Sequence, residues 1–343
     1  MGDADKALPA KEPERARLLR AASRHALSAR VARGLRVAGV LASDPLLLMV
    51  SGGGDSMAML VALAAIRERT DATLGSIAVL SIDHGLRDES SAECAAAIEL
   101  CRSLGIAQAS VATVSVARGG NLLHEARAAR YEAAFAHARR LAVPTVVCAH
   151  QADDAAEGLL LALERGGGID AVESLVPSRA VGGDGLRVVR PLLRITRAEL
   201  RGYLSDVGVG WHDDPSNALH ARGALRSEPA LRALVERLAA GAGRLAEEAG
   251  ALAAWRDAEL DKFVPEGATE LPRSVLELAP PPFVALAIRR LVHAAGGDIA
   301  RTALDEAASG IAQGDRSPRE FACTGGCELR IDARTVRATA APR

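Results

Sequence analysis

Short apolar runs alternate with longer amphipathic segments from about residue 45, and glycine, proline and polar positions fall between them. Short apolar runs between longer helical patterns predict strands that are buried on both faces of a sheet. The predicted strands are 46–50, 76–82, 107–116 and 144–149, and the predicted helices are 56–69, 90–104, 122–141 and 153–163. Repeated strand–helix units favour an α/β fold with a doubly wound, mostly parallel sheet.

The alternation stops near residue 166, and the elements that follow are less regular. A strand is predicted at 186–189, a helix at 196–207 and an exposed, turn-rich loop at 211–217. Apolar residues at 231, 234, 238, 245, 252 and 255 predict a long packing helix that joins two domains, in preference to a free coiled coil. We therefore divide the chain into an N-terminal helical extension (1–44), a main α/β domain (45–228), a linker helix (229–265) and a small C-terminal α/β domain (266–343).

A glycine-rich loop separates the first predicted strand from its helix, with the sequence Ser51-Gly52-Gly53-Gly54-Asp55-Ser56. Glycines let the backbone approach a ligand closely, and the amides at a helix start favour an anion, most often a phosphate. The loop lacks the lysine of a Walker-type loop and carries Asp55, a residue type that can hold Mg²⁺. The alternative is a plain glycine turn in which Ser56 caps the helix.

Composition limits the classes of protein to consider. The 343 residues carry a net charge of −1, so a nucleic-acid partner would have to be recognised by local patches. The five cysteines form no C-x-x-C pair, which suits a reducing cytosol, and no apolar run is long enough to span a membrane. The first 40 residues, rich in Arg and Ala, resemble either an organelle transit peptide or an amphipathic helix, and we favour the helix.

Four further segments, in order along the chain, narrow the choice of family beyond what the glycine loop alone indicates. They are Ser81-Ile-Asp83-His84-Gly-Leu-Arg87, Glu125-Ala-Arg127-Ala-Ala-Arg130-Tyr131, His150-Gln-Ala-Asp153-Asp154-Ala-Ala-Glu157, and Arg190-Pro191-Leu-Leu193 with Asp214-Pro-Ser-Asn217. Together with the glycine loop they resemble the tRNA(Ile)-lysidine synthase family, within the PP-loop group of ATP pyrophosphatases. The similarity covers about residues 45–232 and is weaker beyond them.

The resemblance implies a cytoplasmic ligase that uses ATP and Mg²⁺. In that family ATP adenylates the C2 oxygen of the wobble cytidine in the CAU anticodon of tRNA(Ile), and pyrophosphate leaves. Free L-lysine then displaces AMP and gives lysidine. Residues 45–228 would be the ATP-binding catalytic domain, and the C-terminal domain would contact tRNA. No membrane partner is implied, and a homodimer is possible.

The chain departs from the family pattern at three places. Gly158 replaces a common Thr, the segment 165–172 lacks the usual glycine spacing, and Arg222-Gly223 replaces a common Arg-Asn. These departures concern the wall of the lysine pocket and a tRNA-contact loop, whereas the phosphate loop matches the family.

The candidate residues follow from this match and from their chemistry. Residues 51–56 would bind ATP, and Asp55 would hold Mg²⁺ because a phosphate would otherwise repel its carboxylate. His84 ends the second strand beside the loop, where it is either catalytic or a capping residue. Arg127 and Arg130 share a helix face, and we favour Arg130 for stabilising the reacting phosphate over a merely solvated face.

The second cluster is His150, Asp153, Asp154 and Glu157, at the start of a predicted helix. Asp154 and Glu157 would bind the ammonium groups of lysine, and a nearby carboxylate or His150 would accept the proton of the attacking amine. A metal site and simple complementation of the helix dipole are the alternatives. Residues 179–232 hold nine arginines and six acids, and the predicted tRNA contacts are Arg190, Arg194, Arg222 and Arg226.

Two rival functions remain open. Another PP-loop enzyme, such as a tRNA thiolase, would need cysteines to carry sulfur, and Cys94, Cys101 and Cys148 make no convincing pair. A protein that binds nucleotide or RNA but has lost catalysis would fit the departures at Gly158 and Arg222-Gly223. The intact Asp55, Asp154 and Glu157 favour an active enzyme over that binding protein.

Overall fold

The computed structural model describes residues 12–69, 74–83, 89–114, 122–165, 175–182, 184–212 and 221–340. These residues form two compact units, residues 1–251 and residues 252–343, and each is described by itself. His84, the 166–168 glycines and the 213–220 segment therefore lie outside the described residues, as do the side chains of His124 and Arg222.

Six strands of the first unit form one sheet. They are β1 (Leu46–Met49), β2 (Ile77–Asp83), β3 (Gln108–Thr113), β4 (Thr145–Val147), β5 (Ser178–Val181) and β6 (Leu186–Val189). Their order is β3-β2-β1-β4-β6-β5, and every neighbouring pair is parallel except β5 and β6. The predicted fold class is therefore confirmed, with one antiparallel edge strand, β5, that the apolar pattern did not reveal.

Helices cover both faces of this sheet, and nine of them begin in the first unit as described. They are α1 (Glu12–Arg24), α2 (Ala26–Val37), α3 (Gly54–Arg67), α4 (Glu89–Ser103), α5 (Leu122–Arg140), α6 (Ala152–Glu164), α7 (Arg197–Val207), α8 (Ala221–Ser227) and α9 (Pro229–Asp261). The central helix α3 is buried from residue 56 to residue 66. The N-terminal segment is two helices, and Leu19, Leu27 and Val31 place both in the main core.

The predicted packing face of α9 is wrong. Leu231, Leu238 and Leu245 are 37–39 % exposed, and the buried positions in the first unit are Val235 and four alanines: Ala239, Ala242, Ala246 and Ala249. A Cβ added at Gly243 would lie 1.9 Å from the carbonyl oxygen of Leu193. The backbone of α9 therefore comes too close for leucines at the contact, and small residues form the packed face.

The second unit has its own sheet and core. Its elements are β7 (Glu270–Pro272), a 3₁₀ turn (Arg273–Val275), α10 (Pro281–Ala294), α11 (Arg301–Ala312), β8 (Arg319–Cys323), β9 (Cys327–Ile331) and β10 (Thr335–Ala340). The strands are antiparallel in the order β7-β10-β9-β8. Ile288 of α10, Leu304 of α11 and Leu329 of β9 belong to one core cluster. Among the described residues of both units, none of the helices is long and apolar enough to cross a membrane.

Candidate active site

The glycine loop joins β1 to α3 at the carboxyl end of the parallel sheet, where ligands bind in such folds. Gly52 has a φ of 81°, and a Cβ there would lie 2.9 Å from the carbonyl oxygen of Glu93, so only glycine fits. Gly53 precedes the first helical residue and has no side chain to cap the helix. The first amides of α3 are therefore left to a ligand, and the positive end of the helix dipole favours an anion.

Two serines fasten the loop. The Ser56 hydroxyl donates to the Gly53 carbonyl oxygen at 2.8 Å, and the Ser51 amide donates to the Ser56 hydroxyl at 3.2 Å. Ser56 is buried, whereas Ser51 is exposed beside the cavity described below. The structure thus gives Ser56 a role inside the loop. The Ser51 hydroxyl makes a 3.4 Å contact with the Ser56 hydroxyl and, being exposed, can also reach a ligand.

The second predicted cluster follows β4 and opens α6. Gln151 caps this helix through its side-chain oxygen, and Asp154 completes the capping box by accepting the Gln151 amide at 3.1 Å. Asp153 accepts the Arg197 amide at 2.9 Å, which makes it a structural contact. Glu157 is completely buried, so its charge needs cations close by.

Two arginines supply those cations. Arg226 donates through Nε and Nη2 to the two oxygens of Glu157, both at 2.7 Å, and Nη2 also donates to Asp154 at 3.1 Å. Arg197 lies beside the same pair, 3.5 Å from Glu157 and 3.7 Å from Asp154. Because an unpaired buried carboxylate costs several kcal/mol, these guanidinium groups hold the acids in place.

Arg197 also connects the two clusters. Its Nε lies 3.9 Å from a carboxylate oxygen of Asp55, so one guanidinium borders both the loop and the acid pair. The pKa of Asp55 is raised to about 6, first by burial and then by the charge of Asp154, against the opposing charges of Arg197, Arg226 and Arg201. The ionised form of Asp55 is therefore destabilised, and an additional cation nearby would stabilise it.

This raised pKa predicts an unusual pH dependence of stability. The folded state binds the Asp55 proton more tightly than the unfolded chain, so the Asp55 contribution falls as the pH rises from about 4 to about 6. Above this window we expect the free energy of unfolding of Asp55→Asn to exceed that of the wild type by on the order of 1–3 kcal/mol. Near pH 4 the two proteins should be equally stable. Thermal unfolding of both proteins at the two pH values tests this, and an equal difference at both would contradict it.

The arginines predicted to contact RNA lie in different environments. Arg190 is 3 % exposed and donates to the Val176 carbonyl oxygen at 2.9 Å, so in this structure it is a buried residue and not a surface contact. Arg194 is partly exposed and pairs with Glu247 at 3.2 Å. Arg226 faces the carboxylates, as described above. Proximity in sequence did not predict these partners, because each arginine pairs with a residue from another element.

Helix α5 carries two arginines beside Tyr131. The guanidinium carbons of Arg127 and Arg130 lie 5.3 and 6.0 Å from the ring centre of Tyr131, and Arg127 is exposed. Of the two, only Arg130 is among the residues that line the cavity, and its role at the reacting phosphate stays a prediction. A guanidinium in this position can contact a phosphate oxygen.

One cavity of about 840 Å³ brings these groups together. Its lining includes the loop residues Ser51, Gly53, Gly54, Asp55 and Ser56, and also Arg130, His150, Asp154, Glu157, Arg197 and Arg226. Such a volume accommodates a nucleotide-sized ligand and leaves an acidic wall beside it. Arg197 is not among the site residues predicted from the sequence, because it lies between the two motif ends of the fourth segment, after Leu193 and before Asp214.

Comparison with known proteins agrees with this geometry. A family model described as a PP-loop domain matches residues 27–230, more than half of the chain. The chain belongs to the PP-loop family. The matched range thus includes all six strands of the first sheet and most of the residues that line the cavity. Membership in the family implies that ATP is used here.

Several curated relatives of this PP-loop protein are named tRNA(Ile)-lysidine synthase. A tRNA(Ile)-lysidine synthase from Ruegeria pomeroyi is 39 % identical over 224 residues, which are 65 % of this chain and 52 % of that protein. One from Novosphingobium aromaticivorans is 39 % identical over 212 residues, 60 % of this chain and 62 % of its own length. The resemblance carried by the motifs is confirmed, and the match spans half to three-fifths of these relatives.

A solved structure supports the fold alone. A U34-tRNA thiolase from Methanococcus maripaludis aligns with a TM-score of 0.50 at 16 % identity, covering 64 % of this chain and 80 % of the thiolase. Here Cys94 and Cys148 line the cavity, and burial raises the pKa of both thiols. Their reactive thiolate forms are therefore disfavoured, which argues against sulfur transfer through these residues.

Proposed function

We propose that this protein ligates free L-lysine to C2 of the wobble cytidine in tRNA(Ile) with a CAU anticodon. The observation that carries the proposal is the single cavity in which the PP-loop and the buried pair Asp154 and Glu157 meet, bordered by Arg197. The names of the curated relatives support the same reaction.

The first step uses the loop side of the cavity. The C2 oxygen of cytidine attacks the α-phosphorus of ATP, and the bond to the β-phosphate breaks to release pyrophosphate. The amides at the start of α3 and the Ser51 hydroxyl would bind phosphate oxygens, and Arg130 would stabilise charge on the reacting phosphate. Asp55 fits Mg²⁺, because a partly buried carboxylate beside bound phosphates is a usual magnesium ligand, and a bound Mg²⁺ would neutralise charge on the leaving group.

The second step uses the acidic side. An amine of lysine attacks C2, the bond between C2 and oxygen breaks, and AMP leaves with that oxygen. The amine must first lose a proton, and its ordinary pKa is about 10.4, so it needs an acceptor nearby. Asp154 and Glu157 would bind the ammonium groups of lysine, and one of these carboxylates would accept that proton.

The charge on these acids is already balanced by Arg226 in the structure, and lysine would compete with it. We therefore expect Arg226→Ala to bind lysine roughly tenfold more tightly, since a charge-assisted contact of about 1.5–3 kcal/mol no longer opposes the ligand. Calorimetry with lysine measures this, and lysine should also raise the melting temperature of the variant more than that of the wild type.

Arg237→Ala is the matched control, because Arg237 is an exposed arginine of α9 that does not line the cavity. It should leave lysine affinity as it is. Weaker lysine binding by Arg226→Ala would contradict competition and would instead make Arg226 part of the receptor.

RNA contacts belong to the proposal as well. Arg194 and Arg222 would hold tRNA phosphates near the cavity, and the second unit would contact other parts of the tRNA. His84 would act beside the nucleotide. A cytoplasmic location suits a tRNA substrate. Self-association as a homodimer stays a prediction.

The deciding experiment is mass analysis of the anticodon loop after incubation of tRNA(Ile) with the protein, ATP and lysine. A cytidine that gains one lysine with loss of water supports the proposal, and omission of lysine is the control. Gain of sulfur in the presence of a sulfur donor would indicate a thiolase. Unchanged tRNA without lysine-dependent AMP would indicate a binding protein.

A further inference from the structure

Arg190 and His150 contact each other at the carboxyl ends of neighbouring strands. Arg190 directly follows β6, His150 lies just beyond β4, and these two strands pair in parallel. Nε of Arg190 lies 3.3 Å from Nδ1 of His150, and Nη1 donates to the Val176 carbonyl oxygen. With only 3 % of Arg190 exposed, the guanidinium is held in one position against the imidazole.

The direction of this hydrogen bond is fixed by chemistry. A guanidinium has five N–H donors and no acceptor, so Nδ1 of His150 must be the acceptor. A neutral imidazole that accepts at Nδ1 carries its single proton on Nε2. The contact therefore selects one of the two tautomers, and an imidazolium, which donates at both nitrogens, would lose it.

We propose that Arg190 is a positioning residue that holds His150 as a neutral imidazole with its proton on Nε2, so that His150 donates a hydrogen bond into the cavity and accepts no proton there. The statement about the tautomer stands on the geometry alone. Its consequence for catalysis rests on the proposed function, because it leaves the proton of lysine to the carboxylates Asp154 and Glu157.

The charges around His150 support the neutral form. The pKa of His150 is lowered to about 3, mainly by burial and also by the charges of Arg190, Arg127 and Arg130, whereas the charge of Asp154 opposes this shift. These groups come from α5, α6 and the end of β6, so cations face the imidazole from two elements and one carboxylate from the third. A protonated imidazole would add a fourth positive charge beside these three arginines, so the ring stays uncharged at neutral pH.

The role that remains for His150 is that of a hydrogen-bond donor. Because His150 lines the cavity near Arg130, the fitting partner is an oxygen that carries negative charge, such as a phosphate oxygen of the nucleotide. A neutral donor in this position stabilises such an oxygen by a hydrogen bond and takes no part in removing the proton of the lysine amine. General-base catalysis by His150 is excluded, since Nδ1 is occupied and Nε2 is already protonated.

The tautomer can be observed directly by NMR of the ligand-free protein with ¹⁵N-labelled histidine. The chain has eight histidines, and His150→Gln identifies the signal of interest. Between about pH 5 and 8 we expect one protonated nitrogen, Nε2, and no titration. A proton on Nδ1, or protonation of both nitrogens within this range, overturns the proposal whatever the protein catalyses.

Arg190 variants test the cause. Arg190→Met keeps the length of the side chain but removes every donor, so the pKa of His150 should rise by roughly 1–3 units and the Nδ1-protonated tautomer should appear. Arg190→Lys keeps a cationic N–H donor group and should keep the wild-type tautomer. The seven other histidine signals report whether each variant is folded. An unchanged His150 signal in folded Arg190→Met overturns the role of Arg190.

Activity provides a separate readout. Glutamine can place an N–H donor near the position of Nε2, whereas asparagine places its amide near Nδ1. If His150 only donates, His150→Gln should lose less than about tenfold in lysine-dependent AMP release and His150→Asn much more; loss of a general base costs about 10²–10⁴. Equal and large losses in both variants overturn the donor role. Wild-type protein without any AMP release would reject the proposed function, and the NMR result would still decide the tautomer.

Discussion

Replacement of Asp55 by asparagine is expected to lower ATP-dependent pyrophosphate release by roughly 10²–10³, because removal of one electrostatic group aimed at a transition state has about this effect. Asp55 lies in the first turn of α3 beside the phosphate-binding amides, and its carboxylate is partly buried. Among the described ion pairs its nearest cation is Arg197, at 3.9 Å. Asparagine keeps the shape but cannot neutralise a magnesium ion. Pyrophosphate release with tRNA, ATP and lysine is the measurement.

The control for Asp55→Asn is Asp206→Asn. Asp206 is an exposed aspartate that contacts His25 and does not line the cavity, so its replacement should leave the rate as it is. The stability measurement above separates lost chemistry from lost folding, since Asp55→Asn should be the more stable protein at neutral pH. A rate close to that of the wild type at every Mg²⁺ concentration would remove Asp55 from the metal site.

The second large effect concerns lysine. Asp154→Asn should weaken lysine binding by roughly tenfold to a hundredfold, because a hydrogen bond to a charged group contributes about 1.5–3 kcal/mol. The affinity for ATP should change much less, since the phosphates contact the loop. Calorimetry with each ligand separates the two effects.

Asp153→Asn is a matched control on the same helix. Asp153 is buried like Asp154, but it accepts the Arg197 amide and its asparagine variant can still do so. Lysine affinity should therefore stay near the wild-type value in Asp153→Asn. Unchanged affinity in Asp154→Asn would defeat the assignment of Asp154 as a lysine receptor, and the dipole role at the start of α6 would then explain the residue.

Much of the fold followed from local patterns. The apolar runs at 46–50, 76–82 and 144–149 each contain an observed strand, because a strand buried on both faces needs apolar residues on both sides of its backbone. Helix α3 begins at Gly54, two residues earlier than predicted. Gly53 is the residue that precedes the helix, and Ser56 lies inside its first turn. The edge strand β5 was missed, since an edge strand with exposed residues has no continuous apolar run.

The sequence by itself determined the strand–loop–helix order, the family and the acids that α6 presents, since these depend on residue type and on spacing within one element. Only the tertiary structure decided that Arg226 pairs with Glu157, 69 positions away, that Arg190 is buried against His150, and that α9 packs through alanines. The physical reason is that charges and backbones from distant elements meet only after folding. A buried charge is stable only beside an opposite charge, so folding brings the two partners together. A short distance between two backbones leaves room only for small residues between them.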